Sequence, residues 1–356
     1  MKYFLVSLLS VVMLSLFGPV FAQGEATALF LMINPGARQG GVGEAGVATA
    51  KDATAIYWNP AGLAFQYNPG NPSSRGEASI MHVNWLPKFN LSDLYYDFLA
   101  TRYYLDGIGT VGFGIQFMNY GENNQTDTQG NEIGKFTSNE MAVTGSYAVK
   151  LQEGLGLGVN LKFIYSRLSP VKVDNERGKG VGAGFALDLG VLYHPGFMKK
   201  LSLGVNLSNL GPKLSYIDQA QADPIPTNLR LGLAYRLVQS EFNRLTLVYD
   251  INRLMVPRSE DKRDASFLAY LFNSWGDGDL IQRLTHSVGM EYWYSNLIAL
   301  RAGYFYEHPD YGGRQFYTFG GGVQIAFLGV DFSYILGSVD DSPLADTIRF
   351  SLLANF

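Results

Sequence analysis

Cysteine is absent from the 356-residue chain. That excludes a lipid-modified N-terminal cysteine and every disulfide, the usual staple of a small exported domain. Charge is scarce as well: 16% of residues are Asp, Glu, Lys or Arg, against about 25% in soluble globular domains. The formal net charge of −4 offers no basic surface for a nucleic-acid partner. Only four histidines occur, His82, His194, His286 and His308. They sit on separate segments without ligand spacing, and no Ser-centred nucleophile elbow accompanies them, so the sequence offers no metal, no cofactor site and no catalytic residues. Beyond the first residues no apolar run reaches the length of a membrane-spanning helix.

That first run carries its own meaning. Lys2 precedes an apolar stretch over residues 3–16, followed by Gly18, Pro19 and Val20-Phe21-Ala22. This order reads as a signal peptide over residues 1–22, cut before Gln23, and the run is short for an anchor across a ~30 Å bilayer core.

What the chain has in quantity is glycine, 41 residues, and aromatic side chains, at 14%, arranged with a period of two. Leu157, Val159, Leu161, Phe163 and Tyr165 share one face, and Gly156, Gly158, Asn160, Lys162 and Ser166 the other. The same alternation recurs from Leu229, Val288 and Ile298, and it closes the chain. Ile348, Phe350, Leu352, Ala354 and Phe356 point one way; Thr347, Arg349, Ser351, Leu353 and Asn355, a largely polar set, point the other. About fourteen such segments are expected, at 77–86, 94–105, 108–119, 136–151, 154–168, 179–194, 200–210, 226–237, 243–254, 283–295, 297–307, 315–327, 329–337 and 346–356. A soluble sandwich would alternate too. The connections discriminate: short ones at Asp106-Gly107, Gln152-Glu153, residues 238–242, Asn296 and Leu328 alternate with long polar ones at 118–135, 210–223, 255–282 and 337–345. Short turns on one rim and long loops on the other describe an all-β, transmembrane antiparallel barrel, and an even strand number returns the C-terminus to the periplasmic rim. Three parts follow: the signal peptide, an N-terminal plug over 23–75, and a barrel over 76–356. The terminal set Phe350, Leu352 and Phe356 resembles the C-terminal insertion signal of bacterial outer-membrane barrels.

Fourteen strands enclose a lumen too wide for wall side chains to fill. The inward set includes Lys162, Asp188, Arg230, Arg236, Asp250, Glu291, Arg301 and Arg349, mixed in sign and suited to pairing across the wall and with a plug. The segment 23–75, rich in Gly, Ala and Pro and irregular, is read as that plug, folded into the periplasmic half. Its Gly41-Val42-Gly43-Glu44-Ala45-Gly46 matches a dinucleotide fingerprint, but a lone match without a βαβ setting is weak. A close-packed glycine turn is the reading adopted.

More specific is the run Asn34-Pro35-Gly36-Ala37-Arg38, then Asp52-Ala53, then Trp58-Asn59-Pro60-Ala61-Gly62-Leu63. Asp-Ala followed by Asn-Pro-Ala resembles the hatch of the FadL-like superfamily of fourteen-stranded barrels, with Asn34, Asp52, Asn59 and Pro60 as the plug motif. Together with Gly130-Asn131-Glu132-Ile133-Gly134-Lys135-Phe136, Ser208-Asn209-Leu210-Gly211-Pro212, Ile225-Pro226-Thr227-Asn228-Leu229-Arg230 and Asp250-Ile251-Asn252-Arg253-Leu254, it resembles the PorV family of the type IX secretion system. That resemblance implies a non-enzymatic outer-membrane protein. Its partners would be a large translocon barrel, the C-terminal signal domains of secreted cargo, a surface sortase complex that attaches cargo to lipopolysaccharide, and outer-membrane lipid.

One outer loop offers a means of gripping. Asp264 could cap a short helix with Phe267, Leu268, Leu271, Phe272 and Trp275 on one face, ending at Gly276. Such a face either packs across its own barrel mouth or receives a partner. The competing reading is a FadL-like channel for long-chain fatty acids or other hydrophobic molecules, which would want an apolar pocket and a lateral opening. A third, modification of lipopolysaccharide lipid, would need a nucleophile and base on the outer rim, and none can be named.

Overall fold

A chain that crosses lipid by strands must satisfy every backbone N–H and C=O sideways, which a sheet achieves only by closing on itself. The computed structural model describes residues 26–127, 129–170, 180–217, 222–256, 275, 279–338 and 342–356, and it shows that closure. Fourteen antiparallel strands lie in sequence order, and the last bonds back to the first. They are β1 Gly76–Asn84, β2 Tyr95–Leu105, β3 Gly109–Thr126, β4 Glu132–Gln152, β5 Leu155–Arg167, β6 Val181–Tyr193 and β7 Leu201–Leu210, then β8 Asn228–Gln239, β9 Asn243–Leu254, β10 Leu284–Tyr294, β11 Ile298–Tyr306, β12 Gln315–Ile325, β13 Leu328–Gly337 and β14 Ile348–Asn355.

Burial alternates as the sequence requires. On β14, Ile348, Phe350 and Leu352 are exposed to the membrane while Arg349 and Ser351 are buried in the lumen. The two rims carry outward-facing tyrosines: Tyr103, Tyr147, Tyr193 and Tyr294 near the turns, and Tyr165, Tyr304, Tyr317 and Tyr334 toward the loops. Such aromatic girdles mark the levels where lipid headgroups begin. Of the histidines, His82 and His286 face outward beside Asp97 and Tyr249, while His194 and His308 lie at the rims, bonded to Ser202 and to the Asp310 amide.

Two boundaries differ from the sequence reading. Residues 118–135, read as a long loop, are mostly strand, because β3 and β4 continue as a two-stranded ribbon to the Thr126/Glu132 pair. Neighbouring strands stop at Tyr95, opposite Asn119, and at Arg167, opposite Asn139, so the ribbon stands alone. Above the lipid it has no apolar face, and the polar run Glu122-Asn123-Asn124-Gln125-Thr126 carries no period to read. The turn assigned to Leu328 lies instead at Ala326 and Phe327, with Ala326 in the left-handed region at φ 52°.

Closure is completed at the C-terminus. β14 pairs with β1 from Glu77/Asn355 to His82/Phe350, and Gly76 and Phe356 exchange backbone hydrogen bonds of 2.7 and 3.0 Å. The Phe356 ring lies over Gly76, where any side chain would collide with it. Leu352 meets lipid midway along this strand, so Leu352→Arg is expected to cost about 2–4 kcal/mol of barrel stability, whereas Ile348→Arg, on the same lipid face at the outer end of the strand, costs about 0–1. Equilibrium urea unfolding into vesicles measures both, and equal effects would mean that β14 does not cross lipid in this register.

Candidate functional site

The interior is built from the plug and the side chains that receive it. An irregular segment has few backbone partners of its own, and its buried N–H groups must be satisfied elsewhere. Here wall side chains accept them. Ser351 takes Ala37 N at 2.9 Å, Thr318 takes Gly43 N at 2.8 Å, and Asp250 takes both Gly46 N at 2.6 Å and Val47 N at 2.9 Å. Glu77 takes Ala53 N. The plug is thereby hung from β14, β12, β9 and β1.

Charge reinforces the hanging. Glu291 is a node: Arg38 Nε lies 2.8 Å away, Lys51 Nζ 3.4 Å and Arg301 Nε 3.0 Å. Arg38 also reaches Asp52 at 2.7 Å, and Arg301 reaches Asp331 at 2.6 Å. Arg349 holds Glu44 at 2.6 Å. Asn34 donates to Glu44 at 2.6 Å and accepts from the Tyr57 hydroxyl at 2.8 Å, and Arg230 bonds both Asn34 and Tyr57. Lys162 and Asp188 pair at 2.8 Å, with Asp188 also accepting from Asn160 and from Asn209 N. Arg236 stands apart from this network: it lies at the periplasmic rim, bonded to Lys199 O and Gln239, where a bulge shifts the β8–β9 register.

The plug motif acts through its backbone. Asn59 caps the 3-10 turn Pro60–Phe65 by accepting from Ala61 N at 3.2 Å, while its amide donates to Val47 O and Val191 O. Asp52 accepts from Thr54 N at 3.0 Å, just ahead of the turn Ala55–Trp58. Pro60 presses against the wall at Gly158 and Gly190, where a β-carbon would have no room. The same holds at Gly204 and Gly232 against Val47, and at Gly289 and Gly303 against Val42 and Gly43. Sequence reading placed Gly156, Gly158, Gly232 and Gly289 on inward faces without drawing the consequence. A glycine there removes the side chain that would fill the space a plug needs. Gly43, in the decoy fingerprint, has φ 73° and lies on the backbone of Tyr304, a tight turn against the wall.

The plug does not stay in the periplasmic half. Thr27 N donates to Pro224 O at 3.0 Å and its hydroxyl to Tyr216 at 2.9 Å, which brings the segment up to the loops. The reason is apolar: Phe30 and Leu31, in the turn Leu29–Met32, pack with Met81, Tyr96, Met118 and Leu214 in the outer half of the lumen. Leu214 belongs to the chain after β7, which dips inward beneath Gly182 and Gly184. Of the gripping helix, Phe267, Leu268, Leu271 and Phe272 lie outside the described residues. Trp275 is half-exposed, with the Arg253 guanidinium 4.3 Å from its ring centre.

A closed fourteen-stranded wall with lipid-facing girdles and an N-terminal segment seated throughout its lumen defines a plugged outer-membrane barrel of FadL-like architecture. Solved structures agree. The toluene transporter TodX of Pseudomonas putida is similar over 95% of this chain and 98% of its own at 15% identity and a TM-score of 0.55. The toluene transporter TbuX of Ralstonia pickettii is similar over 91% and 98%, at 12% identity and a TM-score of 0.50. Identities this low speak to fold alone. No curated protein matches the chain. The family model described as type IX secretion system protein PorV matches residues 23–261, and the chain belongs to that family. It is therefore an outer-membrane component of the type IX secretion system, of a non-enzymatic family, located in the bacterial outer membrane.

Proposed function

We propose that the protein, exported behind the cleaved signal peptide 1–22, receives the C-terminal signal domain of secreted cargo from the translocon barrel. It then presents that domain on the cell surface to the sortase complex. The observation that supports this reading is the seating of the plug. Four strands bond its backbone, the Glu291 node ties it across the lumen, and Phe30 and Leu31 fill the outer half. A protein so filled acts through its outer rim and wall, not through a pore. Charge in the lumen points the same way, because a fatty-acid path would need apolar surface where Glu291, Arg301 and Asp331 stand. The channel reading draws on the apolar cluster around Tyr96 and Met118, but there a ligand would first have to evict Phe30 and Leu31.

Gripping is assigned to the outer loops, with Phe267, Leu268, Leu271, Phe272 and Trp275 as the contact set. Phe267→Glu with Leu271→Glu is expected to leave barrel insertion intact and to reduce surface-attached cargo at least tenfold. Quantifying released and attached cargo in cells carrying the variant decides it, and normal attachment would refute the assignment. The wider reading is tested by pull-down of tagged protein from detergent-solubilised outer membranes. Co-purification of a very large barrel, or of proteins sharing a β-rich C-terminal domain, supports delivery; recovery of the barrel alone with bound hydrophobic molecules supports transport.

A further inference from the structure

At the periplasmic end the lumen opens into a vestibule of about 380 Å³ between plug residues such as Lys51 and Gln66 and wall residues such as Arg102, Arg244 and Trp293. Its volume equals that of about a dozen liquid waters, room for a small hydrated ion. The polarity of its lining is one-sided. Its cations are Arg38, Lys51, Arg102 and Arg244 and its carboxylates Asp52, Glu77 and Asp331, and these carboxylates are already engaged, by Arg38, by Arg102 and by Arg301 from behind the lining. Arg244 is bonded to Asn296 Oδ1 at 2.9 Å and lies 5.6 Å from the Trp293 ring centre, and among the described residues it pairs with no carboxylate. Four cations thus face three carboxylates.

Hydrogen-bond accounting gives the same sign. Buried polar atoms in proteins nearly always have partners, and those that lack one point to something further. Among the described residues that line this vestibule the orphans are the Nε of Arg244, the Nε of Arg102 and the indole Nε1 of Trp293, all donors, against the single acceptor Oε1 of Gln66. Arg102 and Trp293 are 3% and 7% exposed, so these are built positions, not loose surface groups. Lys51 keeps half its side chain open to the vestibule. Even so, enclosure by the barrel first, then the positive charge of Arg38 and Arg244, push its ammonium down to about 8.

We propose that the vestibule between Lys51 of the plug and Arg244 and Trp293 of the wall binds a compact oxyanion, a phosphate or carboxylate group reaching it from the periplasm. An anion accepting from both sides fastens the plug to β9 and β10, a role separate from cargo delivery and independent of it. The Glu291 cluster presents no net negative charge to it, because Arg38, Lys51 and Arg301 balance Glu291, Asp52 and Asp331.

The probe is inorganic phosphate, added to the full-length protein in detergent at fixed pH and ionic strength, with chloride as the reference. Tryptophan emission and the unfolding midpoint are followed. A saturable rise in midpoint with an emission change is expected, with affinity at least tenfold weaker in Arg244→Gln and in Lys51→Gln, partly restored in Arg244→Lys, and unchanged in Lys135→Gln on the outer ribbon. Response to phosphate supports a free anion, and response to acetate at similar concentration supports a carboxylate. Response only to short-chain phosphatidylglycerol assigns the oxyanion to a lipid headgroup. The proposal is overturned if no probe gives a saturable response, or if the response survives Arg244→Gln and Lys51→Gln together.

Discussion

Gly303→Val converts a silent barrel into a conducting one. A side chain at this β11 position falls on the backbone of Val42 and Gly43, and backbone cannot swing aside as a flexible side chain would. Overpacking of this kind costs about 1–3 kcal/mol, and displacing the plug relieves it. The wall itself is untouched, since the β11 ladder to β10 and β12 continues through Gly303. Gly145→Val supplies the control, because nothing lies within 4 Å of its β-carbon position. Single-channel recording in planar bilayers should show openings for Gly303→Val and none for Gly145→Val or the parent. A silent Gly303→Val with an unchanged unfolding midpoint would mean that the plug yields locally and is not seated by these glycines.

Glu291→Ala is the second large effect. Removing the carboxylate takes one partner from each of the buried cations Arg38 and Arg301, leaving them Asp52 and Asp331, and breaking one member of a buried ion pair costs about 3–5 kcal/mol, because the remaining charge stays desolvated. The loss is expected in the denaturant midpoint of the purified barrel. A cycle with Arg38→Ala tests the cause: if the pair acts as a unit, the double variant loses much less than the sum of the single ones. Additive losses would refute the node as the tie between plug and wall.

These two predictions rest on features that were unequally legible in the sequence. The lipid-crossing strands could be read because lipid and lumen impose opposite chemistry on successive residues, as at Phe350 and Arg349. The ribbon of β3 and β4 could not, because water lies on both of its faces and leaves Asn123, Asn124 and Gln125 without a period. Lys162, Asp188, Arg230, Asp250, Glu291, Arg301 and Arg349 could be placed inward by parity alone. Their partners could not, since Asp250 meets Gly46 and Arg349 meets Glu44 across more than two hundred residues, and no local pattern encodes such meetings. The inward glycines were visible as a composition of one face; what they receive became evident only from the path of residues 42–60. The rise of Thr27 to the outer loops had no local signal either, because Phe30 and Leu31 look the same in a plug of any depth.

That path carries a consequence for how the molecule is made. The segment runs from the outer loops down to the periplasmic rim and leads directly into β1, while the strand that closes the wall is synthesised last. Glu77 on β1 and Ser351 on β14, the two sides of the seam, each bond the plug, at Ala53 and Ala37. The plug thus touches both edges that must meet last, and closing the wall on it puts Glu77 and Ser351 in place together, as staves are drawn against a former. The seam finds its register against that former, and assembly of the wall and sealing of the membrane against leakage become a single event.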